Sequence, residues 1–412
     1  MSKFIKDYLL LPVILNLFDG NTNVTSDSGL SDEMKTFYSD YLIDMAEPEL
    51  VHDQFGQKHP IPKNGGKTIE FRKYDPLPKA LTPLTEGVTP DGQKLTMGVI
   101  TATVKQYGGF IELSDILLLT AIDNNLVQAT KLLGSQAGRT LDTITREVLN
   151  GGTNVQYAEG QVSSRAELYY TSEEDNCNLT VDAVRRAVRF LKVMNAPRIN
   201  GYYAGIIHPD CSYDLMSDPK WVNVKTYSDP EGIYEGEIGR IEGVRFVETS
   251  EAKVFSGENL ASDSRTLLVN GASVTGTTTV PFDGGTVEAN ALAGRLVNIG
   301  GTVTKVVSNT TSQLTVEDSV TAADNSVIYP GEGGKDGRDI YSTLILGADA
   351  YGVTEITGGG LQHIVKQLGS AGTADPLNQR ATAGWKATKV AERLVEPYML
   401  RIESTSTFTG AA

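Results

Sequence analysis

The first stretch whose residue types could do chemistry is Asn64-Gly65-Gly66-Lys67-Thr68. Glycines before Lys-Thr are how a phosphate-binding loop ends, with backbone N–H groups cradling the phosphates and the lysine reaching them. The full pattern needs another glycine five residues before Gly66, and Ile61 stands there. It also needs a helix after the threonine, so that the helix N-terminus faces the anion. Instead Lys67 to Tyr74 alternates apolar and polar residues as a strand does, so the glycines read as a turn. The four histidines are His52, His59, His208 and His363, and no two stand at i, i+4 with a third ligand. His208-Pro209-Asp210 closes a strand-like run, where catalytic groups often sit, but a histidine there more commonly completes a local turn. No Gly-x-Ser-x-Gly elbow occurs, the acidic residues are scattered, and Cys177 and Cys211 have neither zinc spacing nor histidine company. No catalytic residue, cofactor or metal is therefore nominated.

The bounds on the whole chain agree with that reading. At about 150 residues per domain, 412 residues give two or three domains. Apolar residues make up 40%, enough for a large core, and charged residues 21%. The 36 Lys+Arg against 51 Asp+Glu leave a net charge of −15, which argues against general coating of nucleic acid. Two cysteines build no disulfide framework, and a reducing compartment fits. The longest apolar stretch, Tyr8 to Leu15, falls far short of the roughly 20 residues of a membrane span. It follows Lys3 and Lys6 as a signal peptide would, but Asp7 interrupts the basic start and no Ala-x-Ala site follows. It is expected to be an arm that packs on something.

Several elements stand out along the chain. Asp19 to Ser28 reads as a polar strap, and Ser31 caps a helix presenting Met34, Phe37, Tyr38, Tyr41 and Leu42 on one face. In 57–107, Lys67–Tyr74 and Leu95–Tyr107 are strand-like and flank a segment with Pro76, Pro78, Pro83 and Pro90. The pattern predicts a long two-stranded arm. Such a ribbon has no core of its own and must lie on its own body or on a neighbouring copy. From 122 to 150, Leu126, Ala129, Leu133, Ala137, Leu141, Ile144 and Val148 recur at helical spacing, with Asp123 as a cap, Gly151-Gly152 as a stop, and Gly134 and Gly138 marking close packing. A second helix is predicted over 181–194, capped by Thr180. Val181, Val184, Val188 and Leu191 face inward, while Arg185, Arg186, Arg189 and Lys192 form a basic outer face that is either solvated or meets acid on a partner or nucleic acid. Tyr202–Ile207 reads as a buried strand before a short helix near Asp210–Met216. Residues 266–330 hold 12 Thr, 11 Val and only two basic residues, Arg295 and Lys305, in short alternating runs between Gly and Asn turns. They read as a small all-β module set into a mixed chain. Gly331 to Gly337 reads as a flexible hinge, and Tyr341–Leu346 and Trp385–Ile402 supply further strand.

Three segments then combine: Leu50-Val51-His52-Asp53-Gln54-Phe55-Gly56-Gln57 running into the arm; Thr120-Ala121-Ile122-Asp123-Asn124-Asn125 with the long helix; and Tyr234 to Thr249, whose Gly-x-Ile-Gly-x-Ile-x-Gly-Val places a tight glycine turn before a strand. With Gly384-Trp385-Lys386 and Met399 to Ser404, they resemble tailed-phage major capsid proteins of the Hong Kong 97 fold, and in particular the coliphage N-four branch. The resemblance covers about 31–255 and 338–404 and leaves out 266–330. It implies an α+β capsid fold: an N-terminal arm and helix (1–56), an extended hairpin loop (57–107), a peripheral domain with a spine helix (108–179, completed by 376–412) and an axial domain (180–265 and 331–375), into which the β-rich module of 266–330 reads as an inserted domain. It implies a structural protein whose hexamers and pentamers close an icosahedral shell around double-stranded DNA without sequence-specific binding. The other partners implied are a portal and scaffolding or decoration proteins, with no membrane and no cofactor. Contacts between subunits are expected from Arg72, Lys79, Leu81 and Leu84 on the arm and from Arg185 and Arg189 on the second helix. An encapsulin-like compartment of the same fold is the alternative. A secreted β-rich adhesin would fit the apolar N-terminus and the β module alone.

Overall fold

The structure, a computed structural model, describes residues 50–60, 68–74, 97–116, 125–158, 162–221, 239–271, 273–354, 361–366, 368 and 377–408, together with 77, 79–81, 83, 86–87, 89 and 92–95. The polar strap, the Ser31 helix, the 64–66 turn, the Asp123 cap and Tyr234–Ile238 lie outside the described residues. Strands β1 (Gln57–His59), β2 (Thr68–Tyr74), β3 (Met97–Thr103) and β4 (Lys105–Ser114) precede helix α1 (Asn125–Asn150). Then come β5 (Val155–Tyr157), α2 (Val181–Val193), β6 (Tyr203–Ile207), α3 (Pro209–Ser217), β7 (Arg240–Ile241), β8 (Val244–Glu248) and β9 (Val254–Phe255). Next are β10 (Leu267–Val269), β11 (Val274–Asp283), β12 (Leu296–Ile299), β13 (Thr302–Asn309), β14 (Gln313–Ala322) and β15 (Val327–Pro330). The chain ends with β16 (Ile340–Leu346), β17 (Tyr351–Thr354), β18 (Leu361–Lys366), β19 (Arg380–Lys389), β20 (Ala391–Arg393) and β21 (Met399–Ser404). Two compact units result. One is Met1–Leu50, Lys105–Thr140 and Ile356–Lys389; the other is Val51–Val104, Leu141–Glu355 and Val390–Ala412.

The larger unit is built on a mixed sheet, ordered β5-β21-β16-β6-β8-β7, with β9 also on β16. All residues of β6, β16 and β21 are buried, so both faces of the sheet are covered. Alternation along the strands separates two cores. Tyr203, Ile207, Ile345, Leu400 and Ile402 meet Val181, Val184, Val188 and Leu191 of α2. Ala204, Ile206, Leu344, Leu346 and Met399 meet Leu149 of α1 and Tyr351. Thr180 caps α2 as its spacing predicts, with its side chain accepting the Ala183 N–H. The glycine string ends in a two-residue hairpin: Glu242 and Gly243 both have positive φ (51° and 85°) between paired Ile241 and Val244, the twist that a tight antiparallel turn requires.

Strands β10 to β15 close into a barrel, ordered β10-β11-β14-β13-β12-β15, around its own apolar cluster. Arg265 ties its entry to the return segment, reaching Asp339 at 2.5 Å and the Gly337 carbonyl at 3.0 Å. The return, Gly331–Gly337, is not the flexible hinge that its composition suggests. Gly331 donates to the Leu296 carbonyl and Lys335 to the Leu168 carbonyl. A Cβ on Gly334 would lie 2.6 Å from the Leu168 carbonyl oxygen, so this glycine serves close approach.

In the smaller unit β18, β19 and β4 form one sheet, and Ala129, Leu133, Ala137, Gly134 and Gly138 of α1 are buried. The arm differs from its sequence reading. Among the described residues β2 and β3 pair from Thr68↔Thr103 to Tyr74↔Met97. The run expected to reach Tyr107 breaks at Val104, because from Lys105 to Ser114 the chain pairs with β19 instead. The segment 376–412 also divides: β19 joins β4, whereas β21 lies between β5 and β16 in the larger unit.

The end of α1 explains where β21 sits. A helix leaves its last carbonyls unpaired at a negative pole, and α1 has no basic residue in its last turn. Arg393 donates to the Val148 carbonyl at 2.6 Å, and Arg401 of β21 donates to the Asn150 and Gly152 carbonyls. Arg401 also pairs with buried Glu403 at 2.8 Å. Replacing Arg401 by Met leaves these carbonyls without their donor and removes one of the two guanidinium groups on buried Glu403. Arg401→Met is expected to lower unfolding free energy by about 2–3 kcal/mol, read by urea denaturation of the subunit. Exposed Arg72→Met should change it by no more than about 0.5 kcal/mol.

Candidate functional site

The polar groups that resemble catalytic sets are ties inside the core. His52 donates its backbone N–H to Asp142 Oδ1 at 2.7 Å, and its Nδ1 lies 2.6 Å from Asp142 Oδ2. Thr145 donates to Asp53 Oδ1 at 2.6 Å, and the Tyr351 hydroxyl donates to the His52 carbonyl. His52 is 1% exposed and Asp142 is fully buried, so the pair meets no solvent-borne substrate. Burial holds the Tyr351 hydroxyl well above its ordinary pKa and keeps it a donor. The network sews the 51–53 segment onto α1. Asp142 and Thr145 stand on a second buried face of the helix that apolar periodicity does not reveal.

A second buried cluster centres on Glu403, whose two oxygens accept a fork from Arg165 at 2.7 and 2.6 Å. The Arg165 guanidinium lies 3.4 Å over the Phe255 ring. His208 caps α3 by accepting the Asp210 N–H at 3.2 Å, which is the turn role expected of it. Cys177 and Cys211 are buried thiols that form no disulfide, and burial pushes the Cys211 thiol up, away from the reactive thiolate. Among the described residues no group of three or more His, Cys, Asp or Glu could hold a metal.

The exposed surfaces are more informative. Ile69, Phe71 and Ala102 anchor the arm base on Leu394 and Val395 of its own unit. Beyond that base Leu77, Leu81, Leu95, Met97 and Val99 are exposed among the described residues, Leu81 by 81%. Arg72 and Lys79 are exposed as well, and Leu84 lies outside the described residues. On α2, Arg185 is occupied within its own chain, by Asp182 at 3.0 Å and Glu242 at 2.9 Å. Arg189 has no such partner among the described residues. With Arg186, it lines a cleft of about 450 Å³ with Thr153, Asn154, Gln156 and Tyr157. The nominated residues thus form two surfaces, one on the arm and one on α2.

Sequence reasoning missed a third surface. Ile364, Gly384 and Phe110 stand opposite one another across β18, β19 and β4, and Phe110 is 69% exposed. Alternation in Lys105–Ser114 carries the signal, which is masked by reading Leu95–Tyr107 as one strand.

Two outcomes follow from this geometry. Asp142→Ala leaves the His52 N–H and ring without an acceptor, so it should destabilise the fold by about 2–4 kcal/mol in urea unfolding. A thiol reagent should label neither cysteine in the native protein and both after denaturation.

A family model described as phage capsid protein matches residues 119–366. Among solved structures, the capsid asymmetric unit of Cyanophage Pam1 superposes with a TM-score of 0.52 at 10% identity, covering 88% of this chain and 92% of that chain. The capsid of Cyanophage P-SCSP1u gives 0.49 at 11% identity over 86% and 87% of the two chains. The capsid of Ralstonia phage GP4 gives 0.49 at 12% identity over 86% of each. No curated protein matches the sequence. At such identity the Pam1 likeness speaks for a common fold.

Proposed function

Because the chain belongs to the phage capsid protein family, we propose that it is a major capsid protein whose copies close an icosahedral shell of hexamers and pentamers around double-stranded DNA. The family match over 119–366 carries this reading. On it, the fold is Hong Kong 97-like, in the coliphage N-four branch. α1 is the spine helix, 108–179 with 376–412 the peripheral domain, and 180–265 with 331–375 the axial domain. The shell is assembled in the host cytoplasm, contains DNA without gripping its sequence, and meets a portal and scaffolding or decoration proteins. The net charge of −15 suits a wall that repels its contents.

The 57–107 arm is the extended loop. Its exposed leucines support a role on a neighbouring subunit, since a two-stranded ribbon cannot bury them alone. The barrel of 266–330 is an inserted domain on the outer surface, where an axial domain has free room.

Removing residues 76–92 should leave a subunit that unfolds as cooperatively as the full chain but forms no closed shells by electron microscopy. Closed shells of normal size from that deletion would remove the arm from the account. A protease that cuts the barrel only in broken particles would rule out its outer placement.

A further inference from the structure

The chain presents its densest basic and its longest acidic stretch on separate exposed elements. Arg185-Arg186, Arg189 and Lys192 lie within eight residues of α2, and Glu173-Glu174-Asp175 is the only run of three acids in the sequence. The acidic run forms the tip of a small hairpin. Tyr170 bridges Asn176, the Thr171 and Ser172 N–H groups donate to the Asp175 carbonyl, and Asn176 Nδ2 donates to the Ser172 and Glu173 carbonyls. Tyr169 holds Asp175 at 2.8 Å. The tip is thus fixed in shape, with the carboxylates of Glu173 and Glu174 exposed and no cation against them among the described residues.

The α2 face is similarly unsatisfied. Arg185 is neutralised by Asp182 and Glu242, but Arg186 spends a single N–H on the Ala158 carbonyl. A guanidinium has five N–H donors, so most of Arg186 remains available. Arg189 is exposed beside it in the 450 Å³ cleft, which no described carboxylate lines. Burial raises the pKa of Tyr157 in the same cleft, so its hydroxyl stays a donor. The cleft offers two guanidinium groups and the Tyr157 hydroxyl to an anion.

We propose that this cleft receives the Glu173–Asp175 tip of a second copy of the chain. Two like copies of either patch repel, which disfavours a two-fold contact between identical surfaces. The unlike patches attract, and a contact between two different surfaces of one chain runs head to tail and closes into rings where the rotation allows. Exposed pairs of this kind are individually weak and screened by salt. Their effect is to set orientation and the rate of encounter within a ring held together by other contacts. The inference rests on the capsid reading and adds to it the direction in which subunits follow one another in a capsomer.

The test uses full-length subunits, with assembly followed by light scattering and electron microscopy at low and high salt. Arg186→Glu with Arg189→Glu, and separately Glu173→Lys with Glu174→Lys, should each slow ring formation about tenfold at low salt. The chain carrying all four changes should recover. Arg189→Cys with Glu174→Cys should give a disulfide-linked ladder that ends at the ring size. Indifferent reversals, or a four-change chain no better than its parents, would overturn the contact while leaving the shell reading intact. Loss of binding to a double-stranded DNA oligonucleotide with assembly unchanged would reassign the cleft to phosphate. A wild-type chain that stays monomeric at every concentration would overturn the shell reading and this contact together.

Discussion

The larger unit depends on how the negative end of α1 is satisfied inside protein. Val148, Asn150 and Gly152 turn their carbonyls toward the sheet, and Arg393 and Arg401 supply the missing donors. Buried Arg401 and half-buried Arg393 require compensation, which Glu403 and Glu396 provide. Glu403 in turn draws Arg165 over Phe255, so the loop after β5 and strand β9 join the same cluster. One helix terminus therefore ties together β21, β9 and the loop before the acidic tip. A hydrophobic substitute would fill the volume but leave the carbonyls unpaired, a direct cost in a dry interior.

That arrangement explains what the sequence could and could not reveal. Elements with local signals are legible: Thr180 and the four inward residues of α2, the all-buried β6 and β16, and the Val- and Thr-rich strands that close as a barrel. Links between distant segments are not. Arg401 reads as one charge in an apolar strand, and nothing nearby indicates a helix end 251 residues away. His52 and Asp142 are separated by 90 positions, and Asp142 lies off the apolar stripe of its helix. The glycines of 331–337 carry the composition of a hinge, yet Gly334 allows the Leu168 backbone to approach closely, a requirement visible only in three dimensions.

Of the contact residues nominated from sequence, the structure distinguishes between types. Leu81 and Lys79 are as exposed as a contact with another copy requires, whereas Arg185 is already satisfied within its own chain. Charge counting alone treats the four basic residues of α2 as equivalent; only their partners separate Arg185 from Arg189.

Among the described residues each unit buries an apolar core of its own, while the arm leucines, Phe110 and the charges of α2 and 173–175 stand exposed. The central claim is that this chain is one repeat of a closed assembly. Mass photometry of the purified wild-type chain over a range of concentrations tests it most directly. The account predicts a change from subunits or rings to a single large species of defined mass, with few open intermediates. A monomer that persists at all concentrations, or a continuous series of open polymers that never closes, would contradict it.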